Sequence, residues 1–252
     1  LHSQVSRATA SLVLRNAGNL SEGTRDRVRA SMDSLGSVSP RDTASLRSPR
    51  TQSVGLIVSD FSNGFTAALA IGIETVLAKT GVVTLTANTM ENPARQDLLV
   101  RSMLERQVDG LLVIPAIGSD STLLEALVSS RIPAVIASRE MPHPKLSYVG
   151  IDNAKGGRLA GEHVMFHGAN RVAYLGGFAE LGPRPDRVRG VLEAMRSVRG
   201  DASLVLDIPG QPDGTWGLET ARHLIKDGSL PDASICHNDL VAFGVYRALR
   251  EL

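Results

Sequence analysis

The 252-residue chain is 42% hydrophobic and 21% charged with a formal net charge of +1, which excludes a disordered or collagen-like polymer and fits a globular protein of more than one compact unit. The near-neutral total hides a split: residues 1–50 carry eight Arg and no Lys against four acidic residues, leaving a mildly acidic remainder, so any polyanion contact is expected at that end. The single Cys236 excludes an internal disulfide and fits a reducing compartment, the cytoplasm. No apolar run approaches the roughly 20 residues that span a bilayer, and "LHSQVSRATA" lacks the apolar core of a secretory signal.

The chain opens on Leu1 rather than Met, so further sequence is expected upstream. Ser6 can cap a first helix with Ala8, Leu12 and Val13 on one face and Gly18 beyond its end. Ser21 can cap a second, with Glu22 in its first turn, Val28, Met32 and Leu35 at i, i+4, i+7, and Gly36 as its stop. Two such short helices bury too little apolar surface to stand alone, and a third partner helix is expected before residue 1. Residues 37–53, "SVSPRDTASLRSPRTQS", have the composition of a linker. Within it Ser39 as N-cap, Pro40 at the first helical position, Asp42 at N3 and Pro49 as terminator describe two turns of helix, too short to be stable unless docked on something.

From residue 53 apolar strands alternate with amphipathic helices. The strands are expected at 53–58, 82–87, 109–116, 133–138, 147–151, 171–177, 203–208 and 233–237. The helices are expected at 65–79 (Phe65, Leu69, Ile73 and Val76 on one side), 93–106, 121–130, 155–166, 185–198, 215–226 and 240–250. That alternation predicts an α/β protein with parallel strands covered on both faces, in one large sheet or two smaller ones.

Ligands of open parallel sheets bind beyond the carboxyl ends of the strands. Those ends carry Asp60 and Asn63, Asn88, Arg139, Asp152, and Asn238 with Asp239. The loop after the sixth strand leads to Arg187, and Trp216 opens the helix after the seventh. Carboxylates, amides and guanidinium groups beside a flat apolar wall of Phe65 or Trp216 suit a small polyhydroxylated or heterocyclic ligand. The same Asp and Asn types also serve as helix caps and turn formers, which is the competing account of each. Catalytic patterns are missing: there is no G-x-S-x-G elbow, no G-x-x-x-x-G-K-S/T loop and no H-E-x-x-H pair. His163 and His167 are i, i+4 on a helix but lack acidic or thiol neighbours in sequence, and "LGGFAELGPR" misses the dinucleotide glycine spacing, so no metal or nucleotide cofactor is expected.

Taken together, the segments resemble the LacI/GalR transcriptional repressors, whose sensor half is related to periplasmic sugar-binding proteins. "VSRATASLVLR" is similar to the family's V-S-x-x-T-V-S-x-V-L recognition helix and "LSEGTRDRV" to its V-S-x-E-T-R-x-R-V third helix. "ASLRSPRTQSVGLIVSD" resembles the hinge and first strand, "VDGLLVIP" the motif V-D-G-l-I-l-x-P, and "VGIDNAKGGRLAGEHV" the crossover segment. "RVRGVLEAM" and "HNDLVAFGVYRAL" match R-x-x-G-F/Y-x-x-A and N-D-x-x-A-x-G. Seven loose matches in the right order are specific together.

The resemblance implies a partial helix-turn-helix headpiece at 1–36, a hinge at 37–52, and two lobes of a periplasmic-binding-protein-like sensor at 53–152 and 153–252. In the headpiece it puts Arg7 and Ala8 against base edges, Arg7 suited to guanine O6/N7, with Ser6, Thr9 and Ser11 at the DNA surface. Leu12 stands where several relatives carry a polar base-contacting residue. Leu46 corresponds to a hinge leucine wedged into the minor groove. The resemblance departs at Ser37, where the family carries an aromatic, and at Pro40, one place late. In the sensor it places Phe65, Arg139, Asp152, Arg187, Trp216 and Asn238, with Asp60 nearby, on a cleft for a sugar or nucleobase-like effector. The family's first headpiece helix and its last segments, including a G-F/Y-D-D motif, are expected outside this sequence. The implied function is a non-enzymatic, effector-controlled repressor that binds double-stranded operator DNA as a homodimer. A periplasmic solute-binding protein for transport is the alternative, and an α/β enzyme a third.

Overall fold

The computed structural model describes residues 3–14, 17–35, 50–179, 182–198 and 202–252. Two helices come first, α1 (Arg7–Leu14) and α2 (Glu22–Ser34). The Ser6 hydroxyl accepts from the Thr9 N–H at 3.1 Å, as an N-cap should, and Ser21 and Thr24 hydroxyls pair at 2.9 Å at the start of α2. Between the helices, Gly18 (φ +77°) turns the chain, and its carbonyl accepts from the Arg25 guanidinium at 3.0 Å. Val13 of α1 and Val28 of α2 are both buried. Leu35, expected on that face, falls just past the end of α2 and is exposed. The helix expected after Ser39 and the wedge Leu46 lie outside the described residues.

All eight expected strands form, in two parallel sheets. The first has the order β2-β1-β3-β4-β5, from β1 (Ser53–Val58), β2 (Val83–Asn88), β3 (Gly110–Val113), β4 (Ala134–Ala137) and β5 (Ser147–Val149). Alternation along β1 sends Ile57 to one face, packed with Val100, Met103, Leu123 and Leu127 of α4 (Pro93–Glu105) and α5 (Ser121–Ser129). Leu56 and Val58 go to the other, against Leu69 and Ile73 of α3 (Gly64–Ala78). Of the four residues expected on the inner side of α3, Phe65 and Val76 are exposed instead, beside an outward Ile71.

The second sheet has the order β7-β6-β8, from β6 (Arg171–Leu175), β7 (Ser203–Ile208) and β8 (Ala233–Cys236). Val172 and Tyr174 pack on α6 (Asn153–Phe166) and α7 (Arg184–Val198). Ala173 and Leu175 pack on α8 (Gly214–Lys226) and α9 (Asp239–Leu249). The chain passes from the first sheet to the second through the exposed residues 150–152, between β5 and α6. The helix pairs of this lobe meet at glycines. A Cβ on Gly157 of α6 would lie 1.9 Å from the Arg187 carbonyl oxygen, and one on Gly190 of α7 would lie 1.9 Å from that of Ala154.

One device occurs in both lobes. Asp109, just before β3, accepts from the N–H groups of Thr51 and Gln52 at 2.7 and 2.8 Å. Asp232, just before β8, accepts from Asn170 and Arg171 at 2.9 and 2.8 Å. Each carboxylate fastens the entry of its lobe's first strand, and the two backbone bonds hold Asp232 below its ordinary pKa.

Candidate functional site

Strand order changes direction next to β1 in the first sheet and next to β6 in the second, and the carboxyl ends of strands at such a point leave a crevice. Here both crevices open into one cavity of about 950 Å³, lined by Ser59, Phe65 and Arg139 from the first lobe and Asn153, Arg187 and His237 from the second. From the cleft the cavity continues along the free side of β8 past Leu230 and Ala233.

Four of the seven residues expected at this site line the cavity: Phe65, Arg139, Arg187 and Asn238. Asp60, Asp152 and Trp216 do not, and each has a local reason. Asp60 folds back on Ser62, accepting from its N–H at 2.9 Å and its hydroxyl at 2.5 Å. Asp152 caps α6 by accepting from the Lys155 N–H at 2.9 Å. The Trp216 ring lies against Gly210, where a Cβ would come within 2.0 Å of Cε2, and packs into the lobe's apolar core. Capping accounts for most strand-end polar residues: Asn63, Asn92, Asp120, Asp152, Asp213 and Asn238 each accept from an N–H in the first turn of the helix they open. Asn238 lines the cavity with both ends engaged, its Oδ1 by Val241 and its Nδ2 by the Pro212 carbonyl at 2.8 Å.

Arg139 is held in a clasp. Its guanidinium donates to both Glu91 oxygens at 2.7 and 2.6 Å and to the Pro115 carbonyl at 2.8 Å, while Glu91 also accepts from the Ile117 N–H at 3.0 Å. This ties together the loops after β2, β3 and β4. Met90, Glu91 and Ser138 all adopt left-handed backbone there, with φ of 54°, 55° and 64°, strain that non-glycine residues keep only where neighbours enforce it.

On the second lobe Arg187 donates to Asn153 Oδ1 at 2.9 Å and to the His237 carbonyl at 2.5 Å. Behind it Arg184 is buried, paired with Asp207, donating to the Gly176 carbonyl at 3.0 Å and lying 5.3 Å from the Tyr174 ring centre. Burial, helped by Arg187, Arg184 and Arg139, pushes the His237 imidazole down to about 4, so it is neutral at physiological pH. Burial raises Tyr174 to about 12 and the Cys236 thiol, also on the cavity, to about 11, so both keep their protons. Glu91, Asn153 and His237 were not assigned to the cleft from sequence, although Asn153 and His237 lie inside segments that carry the family resemblance.

The other candidate surface is the first turn of α1. Ser6, Arg7 and Ala8 are exposed, while Thr9 and Ser11 are half-buried. The Ser6 and Thr9 hydroxyls pair at 2.9 Å, which leaves the Arg7 side chain projecting from a capped helix start. His163 and His167 stack edge to face at 4.7 Å, and among the described residues no group of three metal-ligating side chains forms. No described helix is long and apolar enough to cross a membrane.

Residues 1–38 match the model for bacterial regulatory proteins of the lacI family, and residues 54–252 match a periplasmic binding protein domain. The maltose regulon regulatory protein MalI of Escherichia coli is 29% identical over 255 residues, covering 97% of this chain and 72% of that protein. Among solved structures, a putative ribose operon repressor from Burkholderia thailandensis is 30% identical with a TM-score of 0.69, covering 80% of this chain and 74% of that one. The lac repressor dimer bound to operator and the anti-inducer ONPF superposes with a TM-score of 0.84 at 20% identity, covering 99% of this chain and 75% of the other, a likeness of fold.

Proposed function

The chain belongs to the LacI/GalR family of bacterial transcriptional regulators, and from that premise we propose that its reading surface is the first turn of α1 and its control site the cavity between the lobes. Arg7 and Ala8 meet base edges, Arg7 through paired N–H donors to a guanine, while Ser6, Thr9 and Ser11 hold the phosphate backbone. Leu46 belongs to the segment that wedges the minor groove. The protein works in the cytoplasm by binding, without a chemical step.

The observation that carries the reading is an exposed arginine on a Ser-capped helix start, in one chain with a two-lobed receptor whose cavity is walled by Phe65, Arg139, Asn153 and Arg187. A small effector, a sugar in kind, touches both lobes and shifts the population between open and closed arrangements, which changes how two subunits present their headpieces to the two halves of an operator. Exposed Ile71 and Val76 on the outward side of α3 support association with a second copy.

The test is binding of the intact protein to genomic fragments across a salt series, with and without a sugar panel. A steep fall with salt, a preferred fragment and a change on adding one sugar are expected. Equal, salt-insensitive binding to all fragments would refute DNA reading, and retained sugar response in Arg187→Ala would refute the cleft.

A further inference from the structure

At the amino ends of the second lobe's strands, the end away from the cleft, lies a hollow of about 340 Å³. His163 and His167 from the end of α6 line it, with Asp232 from the entry of β8. Both imidazoles are exposed, and the closure of α6 fixes the backbone that carries them. His167 caps the helix, its N–H donating to the His163 carbonyl at 3.2 Å. Gly168, at φ +89°, turns the chain so that its own N–H meets the Met165 carbonyl at 2.9 Å and that of Ala169 meets Val164 at 3.2 Å. This is the paired closure of a helix that ends on a left-handed glycine. Met165 and Ala169 are buried, which anchors it in the core.

The two ring centres lie 4.7 Å apart with their planes inclined at 67°. A zinc ion sits about 2.0–2.1 Å from an imidazole nitrogen, hence about 3.2 Å from the ring centre, so two rings on one ion have centres about 4.5–5.2 Å apart. The observed spacing falls inside that interval. The surroundings favour a cation as well. The last carbonyls of α6 place partial negative charge at this end. Asp232, kept ionised by the N–H groups of Arg171 and Asn170, adds a full negative charge. Sequence alone gave the histidines no acidic company, and the fold brings Asp232 to them. Among the described residues no third direct ligand joins the pair, so Asp232 acts through water, as carboxylates around metal sites do, and water fills the ion's other positions.

We infer that His163 and His167 chelate one divalent transition-metal ion at the C-terminal end of α6, a site apart from both the effector cleft and the reading helix. Imidazole nitrogen sets the choice of ion: Cu²⁺ binds tightest, Ni²⁺ and Zn²⁺ next, while Mg²⁺ and Ca²⁺ require oxygen ligands. The two rings come together only in the folded helix, so a bound ion stabilises the second lobe.

Calorimetric titration of the intact protein, made without a histidine tag and stripped with EDTA, tests this. One equivalent of Cu²⁺, Ni²⁺ or Zn²⁺ should bind, Cu²⁺ the tightest, and Mg²⁺ should not bind. His163→Gln and His167→Gln should each weaken that binding at least about tenfold, because the second ring of a chelate acts at high effective concentration. His143→Gln, at an exposed histidine elsewhere, should leave it unchanged. Electron paramagnetic resonance of the Cu²⁺ form should show splitting from two imidazole nitrogens in the unaltered protein and from one in each variant. Absence of binding, or equal affinity in the unaltered protein and both variants, overturns the site; loss in only one variant overturns the chelate. Should either variant melt early in EDTA, the number of nitrogens in the copper spectrum of the unaltered protein still decides.

Discussion

Two adjacent glycines of α6 make opposite predictions. Gly156 has nothing within 4 Å of where a Cβ would stand, whereas the Cβ of Gly157→Ala would lie 1.9 Å from the Arg187 carbonyl oxygen and 2.7 Å from its Cα. Carbon–oxygen contacts settle at about 3.3 Å, so α6 and α7 must separate by more than about 1 Å. Overpacking costs roughly 1–3 kcal/mol, and because the obstacle is backbone with no rotamer to vacate, about 3 kcal/mol applies here. Replacing a helical glycine by alanine returns about 1 kcal/mol in either variant. Gly157→Ala is therefore destabilised by about 2 kcal/mol and Gly156→Ala stabilised by about 1 kcal/mol. Thermal melts followed by circular dichroism should show Tm falling roughly 4–8 °C in the first and rising roughly 2–4 °C in the second. Movement of both in the same direction would refute the backbone contact.

Other outcomes follow from groups already described. His237 titrates lower in the fold, at about 4, than its ordinary 6.5, so the fold favours the neutral ring. That stability is fully present above pH 6.5 and is lost as pH falls toward 4, by about 3 kcal/mol. Urea midpoints from pH 7 to pH 4 should drop more in the unaltered protein than in His237→Gln, and parallel profiles would count against it. Glu91→Gln breaks a half-buried bidentate pair and should cost about 2 kcal/mol in a urea melt, between the surface and buried limits; a cost below about 0.5 kcal/mol would show the clasp to be idle. Arg7→Ala should cost about 1–3 kcal/mol of operator affinity and relax the preference at one base pair. Fluorescence anisotropy with single-base variants of the site reads both, and an unchanged preference removes Arg7 from the reading role.

The architecture was legible because periodicity and caps state it openly. Apolar runs at 53–58 and 171–175 form β1 and β6, and Asn63, Asp120 and Asp213 mark the starts of the helices that follow strands. The cleft was legible only in part, because sequence gives the position of a polar residue without the direction of its side chain. Asp152 and Asn153 are neighbours at one helix start; the first folds back to cap and the second reaches Arg187. Trp216 opens its helix as expected, yet a glycine at 210 leaves a shelf that its ring fills. Glu91 and His237 gain their roles from chain brought close by the sheets: Arg139 is 48 residues from Glu91, and Tyr174 is 63 from His237. No local pattern encodes such meetings.

The passage at 150–152 feeds directly into α6, and α6 touches α7 main chain to main chain, with no side-chain cushion between them at Gly157 and Gly190. Any swivel at that passage is thus delivered to Arg187 without slack, like the motion of a spoke fixed to its hub. A molecule held at Arg187 would thus be coupled through α7 and α6 to the passage at 150–152.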